Sequence, residues 1–172
     1  MKQFNNKTIH NKGQLIVEAV VAISFIVIAV VSFFGLLAQS VGYNRFVSEN
    51  YTATYLAAEG IEVIKNIIDS NILNARPWNL NIGSGDYEIE YNTTSVATPN
   101  YSDRVLRINS DGIYTQDLSG QETPFKRKIS IRYNSSRIPL GDEIIVNSIV
   151  TWTSRGQNQQ VNLEDHFFNW RE

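Results

Sequence analysis

The chain has no cysteine, and its only histidines are His10 and His166. The absence of cysteine excludes disulfides and thiolate metal sites, so a domain outside the cell would depend on its core alone. The net charge of −2 gives no general attraction to polyanions. A Ser–His–acid set would have to use His166, and no nucleophile elbow surrounds a serine in this sequence. We therefore predict no catalytic residues and a chain that is not an enzyme.

Proline is absent before Pro77. Because proline breaks helix interiors, its absence allows one long helix, which we predict from Gln14 to Ser70. The glycines of this stretch are its weak points, since each costs up to about 1 kcal/mol relative to alanine. They are Gly35, Gly42 and Gly60.

Charge is absent from the run Ala19–Ala38, which is almost entirely apolar. At about 1.5 Å per residue this run spans roughly 30 Å, the hydrocarbon thickness of a bilayer. It is too long for the apolar part of a secretory signal peptide. Lys2, Lys7 and Lys12 precede it, so the positive-inside rule places the N-terminus in the cytoplasm. We predict a single-pass membrane protein with its C-terminal domain outside the cytoplasm.

One carboxylate, Glu18, stands just before this run and five residues after Gly13. A carboxylate at the centre of a transmembrane helix costs about 2.5–3.5 kcal/mol, and less near its edge. The junction Lys12-Gly13-Gln14-Leu15-Ile16-Val17-Glu18 resembles the prepilin cleavage junction of type IV pilins and type II secretion pseudopilins. In those families a basic leader ends in Gly, and the fifth residue of the mature chain is Glu.

The resemblance implies that residues 1–13 form a leader, which a prepilin peptidase removes by cutting between Gly13 and Gln14. It also implies N-methylation of Gln14 and pairing of Glu18 with the N-terminal amine of a neighbouring subunit. Such pairing would offset the desolvation of both charges and set the register of assembly. Gln14 departs from the family pattern, which usually places Phe at the first mature position, and an N-terminal Gln can cyclise and lose its charge.

Beyond the membrane segment, apolar residues recur at steps of three and four, which indicates an amphipathic helix. The predicted stripe is Val47, Tyr51, Tyr55, Ala58, Ile61, Ile64 and Ile68. The Ala-rich run Tyr55–Asp69, with Glu59-Gly60-Ile61-Glu62 inside it, is similar to a run in minor pilin-like proteins.

After residue 70 the apolar period changes to two, which predicts an antiparallel sheet of four to six strands in residues 71–172. The sheet is expected to pack on the C-terminal half of the helix. Arg127 is an exception on an otherwise apolar strand face. The predicted strands are Tyr87–Tyr91, Val105–Ile108, Ile113–Thr115, Phe125–Tyr133, Ile144–Thr153 and Gln160–Leu163, with Phe167–Trp170 closing the chain. The result is an α+β fold, and the resemblance implies that it is pilin-like.

Polar clusters in the sheet domain have ordinary interpretations. We interpret the pairs Glu164–Asp165 and Asp142–Glu143 as solvated turn residues, with a calcium site as the alternative. No metal or cofactor is predicted, because no loop has the dense acidic spacing of a hard-cation site. Lys126, Lys128 and Arg132 share one strand face, which we interpret as solvated. Nucleic-acid binding there would need aromatic neighbours on the same face, and the aromatics of this strand point the other way.

The expected function is structural: a minor subunit of a type IV pilus or of a type II secretion pseudopilus, assembled through its N-terminal helix. The implied partners are the prepilin peptidase, other pilin or pseudopilin subunits, the inner-membrane assembly platform and the membrane, without nucleic acid. The sequence does not distinguish a pilus, a secretion pseudopilus and a DNA-uptake system. The alternative is an uncleaved, signal-anchored envelope protein with an extracytoplasmic binding or adhesion domain. A membrane-tethered enzyme is a third class, for which the sequence offers no residues.

Overall fold

A computed structural model describes residues 9–118, 120–134 and 143–169, with side chains from residue 13 onward. The chain divides into two compact units, Met1–Val47 and Ser48–Glu172. Helix α1 covers Ile9–Leu73 and belongs to both units. The strands of the second unit are β1 (Gly85–Tyr87), β2 (Val105–Ile108), β3 (Tyr114–Thr115), β4 (Gln121–Tyr133), β5 (Glu143–Ser154) and β6 (Gln157–Phe168). The predicted α+β class, with a long apolar N-terminal helix and a C-terminal antiparallel sheet, is confirmed.

Helix α1 ends three residues later than predicted, and its end is closed locally. Ala75 has a left-handed φ of 53°, and its backbone N–H donates to the Ile72 carbonyl. The side chain of Asn71 donates to the carbonyls of Trp78 and Leu80, at 3.2 and 2.8 Å. The Ala75 contact satisfies a carbonyl that a helix terminus would otherwise leave unpaired, and the Asn71 contacts hold the following loop against the last turn.

The strands are ordered β3-β2-β4-β5-β6, and β1 pairs separately with β4. The hairpin predicted around Asp111-Gly112 is confirmed, because β2 pairs with β3. Strands β4, β5 and β6 extend beyond their predicted bounds, and β6 has 12 residues. Arg155 and Gly156 join β5 to β6 with φ values of 51° and 75°, as a type I′ hairpin turn requires.

The predicted stripe on the helix is wrong in its first half. Tyr51 and Tyr55 are 64% and 73% exposed, and Val47 and Ala58 are exposed as well. Ile61 is partly buried, whereas Ile64 and Ile68 are buried as predicted. The residues that face the sheet are Ala53, Leu56, Ala57, Gly60, Val63, Ile64, Ile67 and Ile68. Small residues replace the expected tyrosines because the helix backbone lies close to the sheet at this level.

Gly60 lies at a close approach between the helix and the sheet. A Cβ atom at this position would lie 2.4 Å from Ser148 Oγ and 2.6 Å from Ile129 Cδ1. The sequence identified Gly60 only as a weak point of the helix. The structure shows that the absence of its side chain is what allows this packing.

Two clusters of buried residues form the core between the helix and the sheet. The first joins Val63, Ile64, Ile67 and Ile68 to Ile82, Tyr87, Ile89, Val96, Ile129, Ile131, Ile144 and Val146. The second joins Ala53, Leu56 and Ala57 to Leu106, Phe125, Val150 and Trp152. The expectation that Phe125, Ile129 and Val150 line the core is thereby confirmed, whereas Val161 is only partly buried at its margin.

Arg127, the exception on the apolar face of β4, is 1% exposed and points into this core. Its guanidinium donates to the Leu56 carbonyl at 3.1 Å and to the Ile89 carbonyl at 2.9 Å. It also lies 3.3 Å from the Glu59 carboxylate. The buried cation therefore links the helix, the sheet and the segment after β1, and these partners compensate for its desolvation.

The predicted strand Tyr87–Tyr91 is wrong beyond Tyr87, because β1 covers Gly85–Tyr87 and the next residue makes a different set of contacts. The buried carboxylate of Glu88 accepts hydrogen bonds from the backbone N–H groups of Ser102 and Arg104. It also accepts from the Ser102 hydroxyl and from Arg104 Nε, at 3.0 and 2.7 Å. Burial alone would raise the pKa of Glu88, but these hydrogen bonds lower it below its usual value.

Candidate functional site

The N-terminal unit presents a continuous apolar helix surface. Its apolar side chains are exposed throughout, and Phe25 and Leu37, for example, are 68% and 46% exposed. Among the described residues one helix is long and apolar enough to cross a membrane, with a mean hydropathy of 2.9 in its most apolar window. Exposure of so much apolar surface is unfavourable in water and favourable in hydrocarbon.

The hydroxyl groups within this run are satisfied by the helix itself. Ser24 Oγ donates to the Val20 carbonyl at 2.7 Å, and Ser32 Oγ donates to the Ile28 carbonyl at 2.8 Å. Hydrocarbon offers no hydrogen-bond partner, so polar groups in a membrane-spanning segment must be paired internally. The two serines are therefore compatible with a lipid environment.

Gly13, Gln14 and Glu18 lie on α1 at the N-terminal end of this surface, and all three are exposed. Among the described residues, no atom outside the helix lies within 4 Å of the position that a Gly13 Cβ would occupy. Gln14 and Glu18 are four residues apart and so share one helix face. The structure thus places the predicted cleavage and register residues within a single accessible stretch, next to the apolar run.

On the outer face of the sheet, the predicted basic residues are largely neutralised by acidic neighbours. Lys126 Nζ lies 2.5 Å from the Asp103 carboxylate, and Lys128 Nζ lies 3.5 Å from that of Asp86. Lys128 also lies 5.5 Å from the centre of the Tyr101 ring. The aromatic residues of β4 point away from this face, as predicted. Tyr101 nevertheless lies on it, because it comes from a Ser/Thr/Asn-rich loop whose sequence has no periodicity from which its position could be predicted.

Tyr101 contributes to the same surface through its hydroxyl, which donates to Asp103 Oδ1 at 2.7 Å. Burial and this acidic neighbour raise the pKa of Tyr101 to about 12. Arg132 is exposed on the same face. The paired lysines leave little free positive charge here, so this face offers no specific support for nucleic-acid binding.

His166 joins the two acidic pairs that were interpreted as turn residues. Its Nδ1 lies 2.7 Å from Glu143 Oε1, and its Nε2 lies 3.1 Å from Glu164 Oε1. Glu143 is buried, so its assignment as solvated is wrong, whereas Glu164 and Asp165 are exposed as expected. The assignment to turns is also wrong, because Glu164 and Asp165 lie within β6 and Glu143 begins β5. Asp142 lies outside the described residues.

The two carboxylates raise the pKa of His166, and an imidazolium with two N–H donors fits both contacts. The contact between Glu143 and His166 could not be predicted from their spacing in the sequence. These residues are 23 positions apart, and it is the register of β5 and β6 that brings them together. In the described ranges, no three histidine and acidic side chains are arranged to hold a metal ion.

Comparison of the chain with protein-family models, curated proteins and solved structures finds no match. The family resemblance therefore rests on the residues of the Gly13–Glu18 junction and on the run in the C-terminal half of the helix.

Proposed function

We propose that this chain is a minor subunit of a type IV pilus or type II secretion pseudopilus, cut after Gly13 by a prepilin peptidase. One observation carries the proposal: an exposed apolar run of membrane length, Ala19–Ala38, follows directly on the Gly13–Gln14–Glu18 junction within helix α1. An ordinary membrane anchor needs the apolar helix but has no use for a carboxylate at its edge.

Processing would change the charge of this end of the helix. Cleavage removes the three lysines of residues 1–13 and creates an ammonium group at Gln14. In a bundle of such helices, that ammonium and Glu18 of a neighbour would each compensate the other's desolvation. An uncleaved chain has no amine at this position, so cleavage would be required before the subunit can assemble.

The orientation follows from the same residues. The lysine leader remains in the cytoplasm, and the sheet domain is exported. The unusual first residue Gln14 and the large sheet domain favour a minor subunit over the major one. The partners are then other subunits of the filament and the inner-membrane platform that extracts the helix from the bilayer.

The direct test is the intact mass of the membrane-extracted protein, produced with and without an active prepilin peptidase. We expect loss of residues 1–13 only when the peptidase is present, and no loss for Gly13→Leu. N-methylation of Gln14 would add the mass of one methylene group. An uncut wild-type chain beside a cleaved control substrate would refute the proposal and favour the alternative of a signal-anchored binding protein.

Glu18 provides an independent test of assembly. Glu18→Gln keeps the size of the side chain and removes its charge, so the variant should be cut normally but fail to enter filaments. Val17→Ala is the matched control, because it alters the same turn of the helix without changing charge. Recovery of Glu18→Gln in sheared filaments at the wild-type level would show that Glu18 does not set register.

A further inference from the structure

Strand β6 is a long, regular edge of the sheet. All 12 of its residues are aligned with β5, from Gln157 opposite Ser154 to Phe168 opposite Glu143, without a bulge. No other strand in the described ranges pairs with β6. Natural edge strands are commonly protected by charged side chains, proline or a bulge that prevents further pairing. In β6, residues 157–163 have none of the three, and charged side chains appear only from Glu164 onward.

The register determines which backbone groups face outward. Ser154 and Gln157 close a two-residue hairpin, so they form a hydrogen-bonded pair, and such pairs alternate along the ladder. Even-numbered residues therefore direct their N–H and C=O groups to the free edge. In agreement, the N–H of His166 donates to Asp165 Oδ1 at 2.8 Å and not to β5. The contact closes the edge locally and leaves the stretch from Asn158 to Glu164 open.

The opposite edge of the sheet is closed by side chains. Strand β3 has only two residues. The Glu90 carboxylate accepts from Thr115 Oγ1 at 2.9 Å and from the N–H of Gln116 at 3.1 Å. The N–H of Asp117 donates to Thr115 Oγ1. One sheet therefore has one protected edge and one edge that is open over several residues.

The side chains along the open edge indicate what it would accept. Residues 157–163 carry no charge. Val161 and Leu163 pack at the margin of the second core cluster but stay partly exposed, so a further strand would complete their burial. At the C-terminal end, the imidazole of His166 lies between the carboxylates of Glu143 and Glu164, and Asp165 accepts from the backbone N–H of His166. Three carboxylates beside one imidazole leave an excess of negative charge.

We propose that the open edge of β6 from Asn158 to Glu164 binds an extended segment of a second protein as an added strand. Its chemistry follows from the edge: about six residues, with apolar side chains at alternate positions against Val161 and Leu163, and a basic residue on the opposite face beside Glu164. The binding mode concerns the folded domain and holds whether or not the chain is cleaved after Gly13.

A second copy of this chain fits the edge less well. Strand β6 contains no lysine or arginine, so the β6 edge of a second copy would bring no such basic residue to Glu164. It would instead bring a second Glu164 and Asp165 to an edge that already has an excess of negative charge. The partner segment is therefore assigned to a different protein.

The experiment uses the full chain in detergent and a labelled peptide with the sequence Lys-Val-Thr-Val-Thr-Val-Thr. Binding is measured by fluorescence anisotropy, and amide hydrogen exchange reports which N–H groups become protected. We expect protection of residues 158, 160, 162 and 164. A peptide with alternate N-methylated amides has the same side chains but cannot pair, so it should not bind.

Gln160→Pro is the test variant, because proline removes an N–H that faces outward and leaves pairing with β5 intact. We expect it to bind the peptide at least roughly tenfold more weakly, with unchanged thermal unfolding. Gln160→Thr, the matched control, should bind normally. The proposal is overturned by absence of binding at millimolar peptide, by equal binding of Gln160→Pro, or by a wild-type dimer that Gln160→Pro dissociates, since that dimer would make a second copy the occupant.

Discussion

Replacing Gly60 with alanine has two opposing effects on the free energy of unfolding, one from helix propensity and one from packing. In the interior of a helix this change normally gains about 1 kcal/mol of stability. Here the new Cβ would lie 2.4 Å from Ser148 Oγ and 2.6 Å from Ile129 Cδ1. Non-bonded heavy atoms prefer about 3.5–4.0 Å, so the helix must move away from the sheet or both side chains must shift.

Inserting one carbon into a well-packed core costs about 1–3 kcal/mol. With two overlapping contacts we expect the upper part of that range, and therefore a net loss of about 1–2 kcal/mol after the gain in helix propensity. The assay is guanidinium unfolding of the detergent-solubilised chain, followed by tryptophan fluorescence, since Trp152 is buried in the second core cluster. A Gly60→Ala variant more stable than the wild type would refute the close-packing argument.

Two further variants separate packing from propensity. Ala58→Gly changes the same helix on its exposed face and should lose about 1 kcal/mol through propensity alone. Ser148→Ala removes a buried hydroxyl that has no hydrogen-bond partner among the described residues, so alone it should be nearly neutral. In the Gly60→Ala background it should recover at least about 0.5 kcal/mol, because it relieves one of the two overlaps.

The other predictions concern charged groups of the sheet domain. Because the folded-state pKa of His166 is raised, its contacts with Glu143 and Glu164 should stabilise the fold fully below about pH 6.5 and be lost as pH rises through the raised pKa. Unfolding midpoints of the wild type and of His166→Asn across pH 5–9 should therefore converge at high pH, and a constant difference would contradict this reasoning. Because the pKa of Glu88 is lowered, its contribution is present above the unfolded-state pKa and is lost as pH falls through the folded-state pKa. Glu88→Ala should cost about 1–3 kcal/mol in denaturant unfolding, since it removes a buried carboxylate that accepts hydrogen bonds from Ser102 and Arg104. The exposed Glu62→Ala should change stability by less than about 0.5 kcal/mol, and equal effects would refute the role assigned to Glu88.

The sequence predicted those features that depend on local pattern. The long helix followed from the absence of proline before Pro77, and the sheet followed from the two-residue period after residue 70. The hairpin at Asp111-Gly112 followed from turn chemistry. Each of these signals depends on the chain's own local sequence and not on contacts between distant segments.

The features that were missed depend on contacts between distant segments. The wrong helix face was predicted to be buried in the first half of the stripe. Large tyrosines are more typical of a core than Ala53, Ala57 and Gly60, and so they were assigned to it. Only the close approach of the sheet makes small residues the better fit. The strand Tyr87–Tyr91 was cut short by hydrogen bonds to Glu88 from Ser102 and Arg104, which no local pattern reveals.

The packing of the helix on the last strands of the sheet also bears on how the chain folds. Ile64 shares a core cluster with Val146, which is made much later during synthesis. Until β5 has left the ribosome, the apolar face of the helix that later contacts the sheet lacks many of the residues that bury it. The β5–β6 hairpin is local and can form quickly, whereas its docking to the helix must close a long loop. Docking is therefore expected to be the slow step of folding, and the exposed helix face is the surface that needs protection from aggregation in the interval.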